Sequence, residues 1–302
     1  MKFVLTAIGL ALGMFRICFP VETNAARLPF GFEQTVYVDG LRDPNAIEFA
    51  PDGRLFIGER ITGQLRVVKG GRLMPEPFAT LPVPPEIPGR RADAAQPGFK
   101  YTHIYHYGTY RSSGLEGIAF DPDFETNGYV YVYYMNDRPR RNRVARLTAS
   151  KDNPDAADPG SLKVLLDIPM HTQPTDGPVK DGGSHNGGAL LFGPDGKLYV
   201  TVGDGWNPAP RDGPQDLGLL IGKVLRINKD GTVPDDNPFA SVPGARPEIW
   251  ALGFRNPYTT TLHPRSRRIY INDVVGGKET VHELVKGGNY QHPYFGGTGE
   301  RR

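Results

Sequence analysis

A strand–turn–strand phrase recurs four times along the chain, and it constrains the fold more than any other feature. Each copy has an apolar segment, a turn that contains proline, and a second segment rich in Tyr, Phe, Val or Ile. The prolines of the turns are Pro51, Pro122, Pro194 and Pro264, so successive copies lie 71, 72 and 70 residues apart. A steady period of this kind is typical of folds built by radial or linear repetition.

The segments between the turns favour the blade of a β-propeller. Further β-type runs follow at residues 64–69, 143–148 and 222–228, without helical periodicity. The 302 residues include 38 Gly and 29 Pro, as expected where many short strands are joined by turns. Three or four strands per repeat match a propeller blade. We therefore predict an all-β β-propeller, with about four blades in this chain.

The repeat is longer than common propeller repeats, which span roughly 40–50 residues. Long loops must therefore join some of the strands. Residues 82–111 and 152–183 are rich in Pro, Gly, Asp and Arg, and we read both as loops. Long loops of this composition are either disordered or build a binding site.

The first 26 residues have the composition of an export signal. Lys2 precedes an apolar run at residues 3–14 that is too short to span a bilayer, and small residues follow up to Ala26. We predict a signal peptide at 1–26, a propeller domain at 27–302, and a periplasmic or secreted protein without a membrane span in the mature chain. The only cysteine, Cys18, lies in the signal, which excludes a disulfide, a thiolate nucleophile and a Cys-ligated zinc. A net charge of +2 gives no reason to expect a nucleic-acid partner.

The sharpest functional signal is a histidine and a carboxylate at the two ends of one predicted hairpin. Residues 184–204 read SHNGGALLFGPDGKLYVTVGD, with His185 before the first strand and Asp204 after the second. These ends lie at the same edge of a hairpin, so the acid is expected to fix the tautomer of the imidazole and strengthen it as a base. The neighbouring glycines would let the backbone approach a ligand, and Asn186 adds a polar contact. The alternative is a polar loop histidine beside an acidic strand end.

Two later stretches also carry polar groups. Arg255 and Asn256 offer a fixed cation and an amide, which suit a ligand with carboxylate or carbonyl groups. An arginine bonded to loop carbonyls is an equal alternative. Residues 272–283 contain spaced oxygen groups that we read as a loop able to hold Ca²⁺, although the spacing is not that of an EF-hand.

Five stretches together resemble the soluble glucose/sorbosone dehydrogenase family. They lie in family order at residues 114–134, 184–204, 222–239, 248–257 and 284–290. Members of that family are quinoprotein aldose dehydrogenases, built as six-bladed propellers that use pyrroloquinoline quinone (PQQ) and Ca²⁺. The resemblance implies that this chain holds blades 1–4 of such a ring and stops before the later blades.

The resemblance also implies roles for particular residues. His185 matches the histidine that takes the proton from the anomeric hydroxyl of the sugar, and Asp204 matches the acid that supports it. Arg255 matches the arginine that stabilises the developing quinone oxyanion. The implied cofactor contacts are Arg255, Asn256 and Asn186, and the implied metal ligands are the backbone carbonyls of Val274 and Val275.

These implications predict PQQ-dependent oxidation of an aldose sugar to its lactone, with electrons passed to an external acceptor such as a cytochrome or a quinone. Two alternatives remain open. One is a propeller without a cofactor that binds a carbohydrate or a protein. The other is a Ca²⁺-dependent lactonase on a similar propeller, which would need a carboxylate-rich metal centre that the sequence does not reveal.

Overall fold

The structure is a computed structural model and describes residues 28–83, 114–136, 141–170, 184–205, 212–275 and 278–294. The predicted signal peptide and most of the predicted loop at 82–111 lie outside these ranges. The chain divides into two compact units, Met1–Tyr37 and Val38–Arg302. In the first unit, residues 28–37 contain one turn, in which the N–H of Phe32 donates to the carbonyl of Pro29 (3.1 Å).

The second unit contains four sheets in chain order. The first has β1 (Pro44–Phe49), β2 (Leu55–Glu59), β3 (Gln64–Lys69), β4 (Arg72–Leu73) and β5 (Ala79–Thr80); the second has β6 (Leu115–Phe120), β7 (Tyr129–Asn136), β8 (Arg141–Thr148) and β9 (Lys163–Pro169). The third has β10 (Leu190–Phe192), β11 (Leu198–Val202), β12 (Lys223–Ile227) and β13 (Ile249–Leu252); the fourth has β14 (Pro257–Leu262), β15 (Ile269–Val275) and β16 (Lys278–Glu283).

Within the described residues, two short helical segments join these strands. They are α1 (Phe124–Asn127) and a 3-10 helix (Gly213–Gln215). Across the part of the chain that the structure describes, no helix is long and apolar enough to cross a membrane.

Each sheet is an antiparallel meander, since every strand pairs with the one before it except β5, which pairs with β3. The first strands of successive sheets lie against each other: β1 against β6, β6 against β10, and β10 against β14. Sheets whose first strands gather in this way are the blades of a propeller. The predicted all-β propeller with four blades in this chain is therefore confirmed.

The four recurring prolines lie in equivalent turns between the first and second strands of each blade. An N–H group just before the turn donates to a carbonyl just after it in every copy. The pairs are Ala50 to Arg54 (2.8 Å), Asp121 to Tyr129 (3.1 Å), Gly193 to Lys197 (2.9 Å) and His263 to Arg268 (2.8 Å). In the second blade the turn is longer and contains α1. The repeat found in the sequence is thus a repeat of one turn geometry.

Hydrophobic cores lie between successive sheets, and β7 shows how they form. Val130, Val132 and Tyr134 pack into the core shared with the first sheet, whereas Tyr131 and Tyr133 pack into the core shared with the third. Successive side chains of a strand point to opposite faces, so a strand buried on both faces reads as a continuous apolar run. This explains why YVYVYY shows no polar alternation.

Two regions that we read as loops contain strands. The region 152–183 includes β9, which pairs with β8 and buries Leu166 and Ile168. Its flanking Pro, Gly and Asp residues hid the strand in the sequence. The region 272–283 is mainly the β15–β16 hairpin, where neighbouring side chains point to opposite faces and do not converge on a loop centre.

Candidate active site

His185 and Asp204 meet at one end of the β10–β11 hairpin, as predicted. Nδ1 of His185 lies 2.7 Å from Oδ1 of Asp204. The histidine is buried, with 8% of its surface exposed. A carboxylate at Nδ1 keeps the proton on that nitrogen, so in the neutral ring Nε2 is the basic atom. The pair therefore fixes the orientation of the imidazole and leaves Nε2 as the atom that can accept a proton.

The backbone at this pair is held tightly. His185 has φ +55°, in the left-handed region that residues with a Cβ seldom adopt. Its carbonyl accepts a hydrogen bond from the N–H of Gly205 (3.2 Å). A Cβ added at Gly203 would lie 2.0 Å from this same carbonyl oxygen. Glycine at 203 thus allows the two ends of the hairpin to approach closely enough for the side chains to pair.

Arg255 and Asn256 lie between β13 and β14 and reach the same end. The carbonyl of Arg255 accepts from the N–H of Asp204 (2.7 Å), and Oδ1 of Asn256 accepts from the N–H of Gly187 (3.1 Å). Nη1 of Arg255 donates to the carbonyl of Val274 (2.9 Å). Among the described residues, Nδ2 of Asn256 has no hydrogen-bond partner. The structure therefore brings a guanidinium and an amide beside the imidazole–carboxylate pair.

Asp273 positions these two residues. Its carboxylate accepts from the backbone N–H groups of Arg255 (3.1 Å) and Asn256 (2.6 Å). It is 1% exposed, and this burial raises the pKa of Asp273 while the two N–H donors oppose the rise. We read this residue as part of a metal loop, but its side chain supports the connection that carries Arg255. Only the strand register, which pairs Asp273 with Pro257, reveals that role.

Asn186 is 2% exposed and packs between the second and third sheets. Its backbone carbonyl accepts from the hydroxyl of Tyr133 (2.7 Å), and its Oδ1 accepts from Nδ2 of Asn142 (3.2 Å). These contacts fix the residue that follows His185. Its implied contact with a cofactor remains a prediction.

The residues implied as calcium ligands lie at the end of β15. The carbonyl of Val274 accepts from Arg255, and Val275 is 8% exposed and pairs with Lys278. Among the described residues, no group of three His, Cys, Asp or Glu side chains could hold a metal ion. Two backbone carbonyls are fewer than the six to eight oxygens that Ca²⁺ takes. The role of the Val274 and Val275 carbonyls as calcium ligands remains a prediction.

His292 adds a second imidazole that sequence reasoning missed. Its Nε2 lies 3.0 Å from Oδ2 of Asp204, so the carboxylate lies between two histidines. The two residues are separated by 88 positions in the chain. The stretch 284–290 was noted only for its resemblance to the family, and no local spacing related His292 to Asp204.

A half-buried glutamate, Glu116 on β6, lies at the same end of the blades. Its Oε2 accepts from Nδ2 of Asn45 on β1 (2.6 Å), and its buried Oε1 has no partner among the described residues. A Cβ added at Gly188 would lie 2.6 Å from the Cβ of Glu116, so the glutamate is adjacent to the glycines after His185. Burial raises the pKa of Glu116 to about 7, although Arg60 and Asn45 favour its charged form.

Known proteins share this fold and sequence. The sequence model of the Glucose / Sorbosone dehydrogenase family matches residues 41–298. An uncharacterised Synechocystis protein is 32% identical over 85% of this chain and 58% of its own length. Quinoprotein glucose dehydrogenase B of Acinetobacter calcoaceticus is 29% identical over 88% of this chain and 53% of its own. A Thermus thermophilus structure described as an oxidoreductase (glucose dehydrogenase) is 35% identical, with a TM-score of 0.67 over 87% of this chain and 68% of its own.

Four meander blades with their first strands gathered together define a β-propeller. The chain belongs to the Glucose / Sorbosone dehydrogenase family. It spans a little over half the length of the curated relatives it matches.

Proposed function

We propose that the protein is an oxidoreductase that oxidises an aldose sugar to its lactone, with PQQ as cofactor and an external electron acceptor. The observation that carries this proposal is the His185–Asp204 pair beside Arg255 and Asn256. Family membership and the name of the quinoprotein relative support the cofactor and the substrate class.

His185 would serve as the general base. The hydrogen bond from Nδ1 to Asp204 leaves Nε2 to take the proton of the anomeric hydroxyl. The ring gains a positive charge in that step, and the carboxylate 2.7 Å away stabilises it. The hydride leaves the same carbon with its electron pair, so loss of both groups converts the hydroxyl carbon into the carbonyl of the lactone.

The donor set fits an anionic quinone. Arg255 supplies a fixed cation, and the Nδ2 group of Asn256 supplies an amide donor, so both could bind carboxylate and carbonyl oxygens. Bound PQQ would supply the acceptor for two electrons. Arg255 is preorganised because its backbone N–H and its Nη1 are both anchored on β15.

The proposal extends to the setting of the reaction. An apolar run at residues 3–14 supports export to the periplasm or outside the cell. An exported sugar dehydrogenase would pass its electrons to an external acceptor such as a cytochrome or a quinone.

Reconstitution tests the activity directly. The purified protein is incubated with PQQ, with and without Ca²⁺, and aldose-dependent reduction of a redox dye is followed. We expect dye reduction that falls by at least about a hundredfold in His185→Ala, since a general base contributes on the order of 10²–10⁴-fold. His263→Ala is the matched control, because His263 is exposed at the turn between β14 and β15. Equal activity of the two variants would contradict the role of His185.

A binding measurement on the same protein distinguishes the alternative functions. Quenching of tyrosine and tryptophan fluorescence measures PQQ binding without turnover. Sugar binding in the absence of any PQQ binding would replace the dehydrogenase proposal with a carbohydrate-binding propeller.

A further inference from the structure

The carboxylate of Asp204 bridges two imidazoles from different blades. Oδ1 lies 2.7 Å from Nδ1 of His185, and Oδ2 lies 3.0 Å from Nε2 of His292. All three side chains are largely buried, with 9%, 17% and 16% of the side chain exposed for His185, Asp204 and His292. Both carboxylate oxygens are therefore used in one array.

The segment that carries His292 is fixed independently of Asp204. The backbone N–H of His292 donates to the carbonyl of Gly253 (2.9 Å), and its carbonyl accepts from Nε2 of Gln215 (2.7 Å). Gln215 also exchanges two amide hydrogen bonds with Asn289, at 2.7 and 3.1 Å. This anchoring means that the second imidazole is a fixed point against which the carboxylate can be aligned.

An aspartate needs such a fixed point. Rotation of its carboxylate about χ2 is broad and roughly two-fold, so one hydrogen bond does not set the plane of the group. Hydrogen bonds to ionised groups are shorter and stronger than neutral ones. A donor on Oδ2 that comes from a rigid segment limits this rotation and keeps Oδ1 directed at His185.

We propose that His292 is a positioning residue for the base: by holding Oδ2 of Asp204 it keeps Oδ1 aligned with Nδ1 of His185. The proposal rests on the proposed function, in which His185 takes a proton from the substrate. His292 itself is assigned no contact with the substrate.

Two substitutions at His292 separate this role from simple packing. His292→Phe keeps a flat ring of similar size and removes the donor. His292→Gln replaces the ring but retains an N–H donor on a side chain of similar reach. We expect kcat of His292→Phe to fall about tenfold with little change in KM, as for loss of a hydrogen bond to a charged group. We expect the kcat of His292→Gln to lie within about threefold of wild type. His263→Phe is the matched control.

A readout without cofactor or turnover completes the test. In apoprotein with ¹⁵N-labelled histidine, NMR detects the Nδ1–H proton of His185 that is hydrogen-bonded to Asp204. We expect this signal to be lost or broadened in His292→Phe and retained in His292→Gln and His263→Phe. An unchanged signal in His292→Phe would overturn the proposal, as would equal loss in the Phe and Gln variants. If wild type has no dehydrogenase activity but the NMR changes follow this pattern, the activity is wrong and the positioning role stands.

Discussion

The environment of Glu116 conflicts with a negative charge on its carboxylate. Only one of its carboxylate oxygens is hydrogen-bonded among the described residues, and that partner is the neutral amide of Asn45. A buried carboxylate with an unpaired oxygen is costly, so the group retains its proton and its pKa rises to about 7. The site thus contains a glutamate that is neutral under mildly acidic conditions.

This shift predicts how stability depends on pH. The pKa of Glu116 in the folded state is about 7 against an ordinary value of 4.5, so the folded state binds the proton more tightly than the unfolded state. The associated stability is complete below pH 4.5 and is lost as the pH rises through 7. We expect Glu116→Gln to be more stable than wild type by about 3 kcal/mol at pH 8, with no such gain at pH 4. Urea unfolding at several pH values measures the difference.

Glu125→Gln provides the comparison for this measurement. Glu125 is exposed on α1, so its replacement should leave the pH dependence of wild type unchanged. A parallel course of the wild-type and Glu116→Gln stabilities between pH 4 and 8 would show that Glu116 does not carry the shift.

At the scale of elements, the 3-10 helix depends on one buried lysine. Lys223 on β12 is fully buried, and its Nζ donates to the carbonyls of Gly213 (2.8 Å), Pro214 (3.0 Å) and Ile221 (2.8 Å). Two of these carbonyls belong to the helix that presents Gln215 to the His292 segment. The Nζ group of one lysine therefore links the third sheet to the support of the site.

We expect Lys223→Met to destabilise the protein by about 3 kcal/mol, because it leaves buried carbonyls unpaired while nearly preserving the shape of the side chain. Lys197→Met is the control, since Lys197 is only partly buried and, among the described residues, its side chain makes one hydrogen bond, to Asn228. Thermal unfolding of the two variants measures the difference. Similar losses of stability in the two variants would mean that the carbonyl cluster is stable without the Nζ group of Lys223.

The secondary-structure elements also explain which parts of the fold and the site could be predicted from the sequence. His185 and Asp204 were predictable because one hairpin brings them together, and a hairpin is encoded by a turn and its flanking strands. Asp273 and His292 depend on the packing of one blade against another, which leaves no spacing signal in the chain. The strand β9 was missed because its apolar alternation is short and its neighbours are loop residues. Local patterns thus predicted the repeat and the imidazole–carboxylate pair, but not the groups that position the site.

At the scale of the whole molecule, each middle blade is shared between two cores. β7 packs Val132 against the first sheet and Tyr133 against the third, and both are fully buried. In such an array, stability is the sum of the blades and the interfaces between neighbours. A defect at one interface should therefore weaken blades that it does not touch.

Val132→Ala tests this coupling. We expect a loss of about 2 kcal/mol from the cavity and the lost apolar contacts. Native-state hydrogen exchange should show reduced protection at Val224 and Leu225 on β12, one sheet away, as well as on β7. The control is Val242→Ala, since Val242 is 42% exposed. Loss of protection confined to the first two sheets would show that the blades unfold separately.

The hydrogen bonds between Gln215 and the segment Asn289–His292 have a consequence for biosynthesis. The hairpin with His185 and Asp204 leaves the ribosome well before the residues that hold its carboxylate in place. Chains fold as they are made, from the N-terminal end first. The imidazole and its acid are then present early, but the second histidine reaches them only after the fourth sheet has been synthesised and has docked. The array of Asp204 with its two imidazoles is thus completed only after the fourth sheet has docked, and its formation reports that at least four blades are in place.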